Sequence, residues 1–235
     1  GGNGKTFSNY QLSSQVAKMY DNREMRFYAS IVFNYCYREA SSYTGTAANN
    51  KNFYQTFYKD SPFGAWSDYP NDKSFSGYNC IKYCHPSDKP GNGGTVRSKY
   101  FPLIRYAEVL LNYVEAMNEM EGSYTDNEHN VTVSRDPAEM VKYFNMIRYR
   151  AGLPGITLAD AANKTKMREL IKRERQVEFA LEGRRFYDLR RWGELQRTMA
   201  DPFIVMNVDA RSNEPQKFYT RTVSSYQYSL FNITN

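Results

Sequence analysis

Two glutamates stand where a helix would ordinarily bury apolar side chains. From about Asn163 to Glu182 the residue spacing predicts a helix, and Met167, Ile171, Glu174, Glu178 and Leu181 fall on one face of it. A carboxylate in such a stripe is costly unless cations and hydrogen bonds meet it. The chain carries the cations nearby. FALEGRRFYDLRRWG, 179–193, holds four arginines, and a further helix is predicted from about Arg184 to Gln196. Arg175, Arg184 and Arg185 are the expected partners, since guanidinium offers a rigid fork that fits a carboxylate. A chain with this requirement has to pack helices against one another.

The arginines also raise a second reading. The formal charge is +6, and residues 142–197 hold fourteen Lys/Arg against seven Asp/Glu, so the excess sits in one segment. A basic segment is the footprint of a nucleic-acid-binding module, and plain solvated charge is a third possibility. A nucleic-acid helix leaves its arginines free and its contact face poor in acids. Here glutamates recur at 174, 178 and 182, and Asp188 precedes Arg191 by three. The charges read as matched internally, which favours a structural framework and no nucleic-acid partner.

The rest of the helical signal lies upstream. From Leu103, polar Arg105, Glu108, Asn112, Glu115 and Glu119 form one narrow stripe. Leu103, Tyr106, Ala107, Leu110, Leu111, Tyr113, Val114 and Met117 cover the remaining circumference. That pattern predicts a helix packed between neighbouring helices and ended at Gly122. Asp136-Pro137-Ala138-Glu139 reads as an N-cap, a proline in the first turn and a capping-box acid. Met140, Val141, Phe144 and Ile147 then form its apolar stripe, and Gly152 with Pro154 supplies the stop.

Before residue 99 the pattern is different. The first twenty residues read as irregular, and Arg26 to Tyr37 as a β-leaning aromatic run. Residues 38–77 keep neither period and are read as a long surface excursion. A short strand is expected within 77–84, followed by a loop over 85–94. No run of eighteen apolar residues occurs, and GGNGKTFSNY has the features of neither a signal nor a transit peptide. The expected class is mainly α, with long irregular loops and minor β.

Little of this composition points to catalysis. Cys36, Cys80 and Cys84 are too few for a disulfide framework, and Cys80, Cys84 and His85 fall short of a four-ligand zinc site. Ordinary thiols or one local disulfide are expected, with no metal and no cofactor. His85 and His129 lack nucleophile partners, and GNGG at 91–94 lacks the strand and helix of a phosphate loop. A glycosidase pair among the acids remains open at this level. The expectation is a binding protein and not an enzyme.

Sugar rings are held by flat aromatic faces with amides and acids beside them. Trp66 and Tyr69 flank Asp68, with Tyr54, Phe57 and Tyr58 upstream and Asn49 and Asn50 before those. The candidate ligand set is Asn49, Tyr54, Tyr58, Trp66, Asp68 and Tyr69. The alternative for each aromatic is that it anchors the excursion onto the body. With 21 tyrosines the chain has rings for both uses.

Four stretches then coincide with a known pattern: MYDNREMRFYASIVFN (19–34), KYFPLIRYAEVLLNYVEAMNE (99–119), FNMIRYRAGLP (144–154) and RERQVEFALEGRRFYDLRRWG (173–193). Together they resemble the C-terminal part of the SusD/RagB family, outer-membrane nutrient-binding lipoproteins. The resemblance implies a tetratricopeptide-like helical scaffold over 99–197 and a loop excursion over 38–98, within one C-terminal domain spanning 1–235. It implies glycan capture for a SusC-like TonB-dependent transporter, with peptide or other nutrient capture as the alternative. It places the protein at the cell surface on the outer membrane through a lipid anchor. The family's N-terminal half, which carries that anchor, and its usual closing segment have no counterpart in these residues. Arg105, Glu108, Arg148, Glu178, Glu182, Gly183, Arg184 and Trp192 are implied to hold the scaffold without touching ligand. Gly183 is expected to allow a break and a close approach between two helices.

Overall fold

A computed structural model describes residues 18–39, 52–54, 57–60, 74–85, 88 and 95–224. The chain divides into a helical unit, residues 24–26 with 101–188, and a second unit made of the remaining segments.

In the helical unit, α2 (Tyr106–Glu119), α3 (Pro137–Arg150) and α5 (Lys164–Glu178) pack together, with the short α4 (Leu158–Ala162) beside them. Their core holds Leu110, Leu111, Val114, Met117, Met140, Phe144, Ile147, Met167, Ile171 and Phe179. Each fully buried side chain of that size contributes about 1.5–3 kcal/mol. α2 begins three residues later than the spacing predicts. Leu103 therefore precedes the helix and is exposed, and Tyr106, Val109 and Tyr113 are exposed as well. The wide apolar circumference is thus only partly covered here.

Asp136 caps α3, accepting from Ala138 N at 2.8 Å and Glu139 N at 3.2 Å. Glu139 lies beside the Tyr113 hydroxyl. A reciprocal capping box forms one helix later, where Thr157 Oγ1 accepts from Asp160 N and Asp160 Oδ2 accepts from Thr157 N. α3 stops as its sequence indicates: Gly152 has φ +71, and Leu153 N donates back to Arg148 O at 2.9 Å. Beyond it, Asn145 holds Ile156 through both its amide atoms, donating to the carbonyl and accepting from the N–H. A Cβ on Gly155 would lie 2.5 Å from that amide nitrogen. Between α2 and α3, β5 (Tyr124–Asp126) and β6 (Val131–Val133) form an antiparallel hairpin.

The second unit is built on rings. Tyr20, Val32, Phe33, Cys36, Phe57, Tyr58, Met206, Ala210 and Phe218 form its core. Tyr20 and Phe33 are 4.6 Å apart between centroids, and Tyr58 meets Phe218 edge-on at 5.4 Å. Buried Asn34 ties this core together, accepting from Phe57 N at 2.9 Å and donating to Tyr219 Oη at 3.0 Å. The β-leaning run at 26–37 is instead a helix, α1 (Met25–Ser30), followed by β1 (Ile31–Phe33) and β2 (Tyr37–Glu39). Six residues carry too little periodicity to separate helix from strand. β1 pairs antiparallel with β4 (Tyr78–Cys80), the strand expected within 77–84. β2 pairs with β3 (Asn52–Tyr54), placing a rung of sheet inside the supposed structureless excursion. β7 (Ile204–Met206) pairs with β8 (Arg221–Val223), and the four-residue α8 (Pro215–Phe218) lies between them in sequence. All three cysteines are free thiols, Cys36 buried and the other two exposed.

Candidate functional site

α5 ends at Glu178, one turn earlier than the spacing predicts. Leu181 adopts φ +68 and points to solvent, so it does not extend the buried stripe. Gly183, with φ +74, completes the break before α6 (Arg184–Arg191). Nothing lies within 4 Å of where its Cβ would be, so the glycine serves backbone conformation and not a close approach.

Glu174 and Glu178, one turn apart, are buried inside the core-facing stripe. Glu178 Oε1 accepts from Arg105 at 2.8 Å, and its Oε2 accepts from Arg26 at 2.9 Å and Arg150 at 2.6 Å. Glu174 accepts from Arg26 at 2.7 Å and Arg148 at 3.1 Å. Arg105 forks onto Glu182 through Nε and Nη2 and also donates to the Glu178 carbonyl. Arg26 completes its own fork on Glu24. Four arginines face four glutamates, so the cluster is neutral as a whole.

The expected partners were wrong in detail. Arg175 turns away from its neighbour Glu174 and grips Asp188 with both prongs, at 3.0 and 2.9 Å, while donating to Asn112 at 2.7 Å. Arg184 pairs with Glu108 at 3.0 Å and also donates to the Leu103 carbonyl. Asp188 therefore answers Arg175 of α5. A residue next to Glu174 in a helix is rotated by about 100° and faces another neighbour. The true partners are Arg105, just before α2, with Arg26 of α1 and Arg148 and Arg150 of α3. The family resemblance implied Arg105 and Arg148 as scaffold residues, but nothing in the spacing points to Arg26, which is far away in sequence. Phe179 lies between the Arg105 and Arg175 guanidiniums, each 5.3 Å from the ring centre. Trp192 is covered by Arg191 at 4.8 Å.

Burial pushes the Glu178 carboxyl upward, but hydrogen bonds from Arg105, Arg150 and Arg26 outweigh it and hold it below its ordinary 4.5. A depressed pKa contributes stability that is complete above about pH 4.5 and lost as pH falls through the folded value. The expected result is a flat unfolding free energy from neutral pH to about 5, then a fall in acid. Glu178→Gln should make that acid slope shallower in denaturant titrations across pH. An unchanged slope would mean that Glu178 is not held this way. Held as an acceptor by three guanidiniums, the Glu178 carboxylate ties Arg26, Arg105 and Arg150 to α5.

The ligand candidates fare differently. Asn49, Trp66, Asp68 and Tyr69 lie outside the described residues. Tyr54 ends β3, its backbone opposite Tyr37. Tyr58 is a correction: at 1% exposure, packed against Phe218 and Tyr35, it anchors the core and offers no face to a ligand. Phe57 is buried in the same way. Phe57 and Tyr58 insert because burying large rings is worth more than displaying them. Among the described residues no group of three or more His, Cys, Asp or Glu side chains is placed to hold a metal.

A helical scaffold clamped by a glutamate–arginine cluster and a separate unit with an aromatic core and small β sheets are the class these features define. The chain belongs to the SusD family, whose sequence pattern matches residues 1–232. SusD-like protein P2 of Formosa agariphila is 30% identical over 135 residues, covering 55% of this chain and 24% of that protein. The solved structure of BT4246 superposes with a TM-score of 0.70 at 24% identity, covering 92% of this chain and 35% of the other. A SusD-like carbohydrate binding protein (BF0978) from Bacteroides fragilis gives 0.59 at 21% identity, covering 95% and 40%. The chain thus spans about a quarter of the curated relative it matches and 35–40% of these solved chains.

Proposed function

We propose that this chain is part of a surface subunit that captures oligo- or polysaccharide for import by a SusC-like TonB-dependent outer-membrane transporter. The observation that carries the reading is membership of the SusD family over 1–232. The carbohydrate-binding description of BF0978 supports the substrate class. The protein binds its ligand and does not transform it, and Glu174 and Glu178 of α5 are already committed to arginines. It sits on the outer membrane through a lipid anchor. Among the described residues no helix is long and apolar enough to cross a membrane. The pairing of Arg148, Arg150, Arg168, Arg175 and Arg184 with acids speaks against a nucleic-acid partner for the basic segment.

Trp66 is the proposed stacking platform, with Asp68, Tyr69 and Asn49 as its polar and aromatic company. The test is a glycan array on the longer polypeptide, followed by calorimetric titration of Trp66→Ala with the tightest glycan. Truncation should weaken binding by about 2 kcal/mol, in the range of hot-spot residues, and leave the melting temperature nearly unchanged. An array blank for glycans but positive for peptides would move the reading to peptide capture. A collapsed melt would make Trp66 a core anchor like Tyr58.

A further inference from the structure

The β5–β6 hairpin of the helical unit buries none of its six strand residues. It therefore adds little to the core, and a two-stranded hairpin by itself is marginal in water. Its own side chains brace it instead. Thr125 and Thr132, a cross-strand pair, share a hydrogen bond at 3.0 Å on one face. In the turn, Asp126 Oδ1 accepts from Glu128 N at 3.0 Å and His129 N at 3.3 Å, and Asp126 Oδ2 accepts from His129 Nδ1 at 2.7 Å. Asn130 closes the turn with φ +52.

The pairs Tyr124–Val133 and Asp126–Val131 occupy the opposite face, because side chains alternate along a strand and paired residues share a side. Tyr124 is 65% exposed, and among the described residues it stacks on no other ring and its hydroxyl bonds to no protein group. His129 and the N–H groups of the turn hold the Asp126 carboxyl below its ordinary value, so it is an acceptor near neutral pH. A carboxylate has about four lone-pair sites, and Asp126 retains acceptor capacity beyond its bonds to the turn. A single exposed ring needs no explanation. Here a ring, a carboxylate and an imidazole are fixed along one open face.

We propose, resting on the glycan-capture reading above, that this face is a second carbohydrate contact, that Tyr124 stacks on a sugar ring while Asp126 accepts from its hydroxyls, and that the glycans it takes are uncharged. A flat apolar ring with an acceptor beside it suits a pyranose, which presents C–H groups on its face and hydroxyls at its edge. Charge sets the class. From 122 to 134 the chain has Asp126 and Glu128 and no lysine or arginine. A uronic-acid or sulfated chain would meet like charge there, and so would nucleic acid. Strands of three residues are too small for a stable protein interface, which takes about 800 Å² from each partner.

The test is an NMR titration of the full-length polypeptide with isotope-labelled histidine, the His129 ring signal being identified by its loss in His129→Gln. Cellohexaose, maltohexaose, xylohexaose and mannohexaose are the uncharged probes, and hexagalacturonate is the anionic one. At least one uncharged probe should shift the His129 signal saturably, and hexagalacturonate should not. Tyr124→Ala should weaken that binding about tenfold or more, the loss of one stacked ring, and leave the melting temperature unchanged. Tyr124→Phe, which keeps the ring, should retain most of the affinity. A His129 signal unmoved by every uncharged probe, or a titration unchanged in Tyr124→Ala, would overturn the proposal. A shift produced by hexagalacturonate would do the same. If the glycan array is still positive and Trp66→Ala still weakens binding, the first reading survives that failure, whereas a blank array removes both.

Discussion

Glu178→Ala is expected to lower the unfolding free energy by about 3–5 kcal/mol, the cost of breaking a buried ion pair from one side. The reason is what remains behind. Arg26, Arg105 and Arg150 all donate to this one carboxylate, which is 2% exposed. Removing it leaves three guanidiniums near one another with one acid fewer to hold them. Arg26 retains Glu174 and Glu24, and Arg105 retains Glu182, so their pairing is reduced and not abolished. Chemical denaturation of the variant against the parent measures the loss. A surface pair such as Lys172–Glu169 contributes about 0–1 kcal/mol, and a Glu178→Ala loss in that range would sink the framework reading. It would reopen the basic segment as a nucleic-acid surface, which DNA retention falling steeply with salt would reveal.

Gly77→Ala should be nearly as damaging, at about 2–5 kcal/mol, for reasons that add. Its φ of +77 lies in the left-handed region, which costs a residue with a Cβ about 1–2 kcal/mol. The added Cβ would also stand 2.7 Å from Met206 Cβ and 2.9 Å from Phe218 Cζ, and such overpacking costs about 1–3 kcal/mol. The surroundings cannot move aside easily. Ser74 Oγ accepts from Gly77 N, and Met206 N donates to Ser76 O, so the turn is held against β7. Two other glycines separate the contributions. Gly183→Ala should show the conformational cost alone, since its φ is +74 with open space around it. Gly122→Ala, with no neighbour within 4 Å, should be close to neutral. Thermal melts that rank the three otherwise would refute this account of the turn.

The local signals were legible where a single helix contains its own explanation. The cap at Asp136, the stop at Gly152 and the apolar stripe Met140–Phe144–Ile147 need only neighbours in sequence, and the structure has each of them. The anomaly at Glu174 and Glu178 was equally visible, because a carboxylate at an apolar position demands a partner wherever the chain goes. That demand, with the helical periods around it, was enough to read a mainly α scaffold held by internal charge pairs; the likeness to the SusD family came from four stretches in register. What sequence could not supply was which arginine answers which acid. Arg26 lies 148 and 152 residues from the glutamates it serves, and only the tertiary structure brings those forks together. The same limit governed the rings. Tyr58 and Phe57 look like the other aromatics around the excursion, yet Asn34, 23 residues upstream of Phe57, fixes the backbone that buries them. Periodicity reports how a helix or strand faces its own surroundings, and a ring in an aperiodic segment has no such period to read. Whether it lies inward or outward is decided by contacts distant in the chain, and those exist only once the tertiary structure has formed.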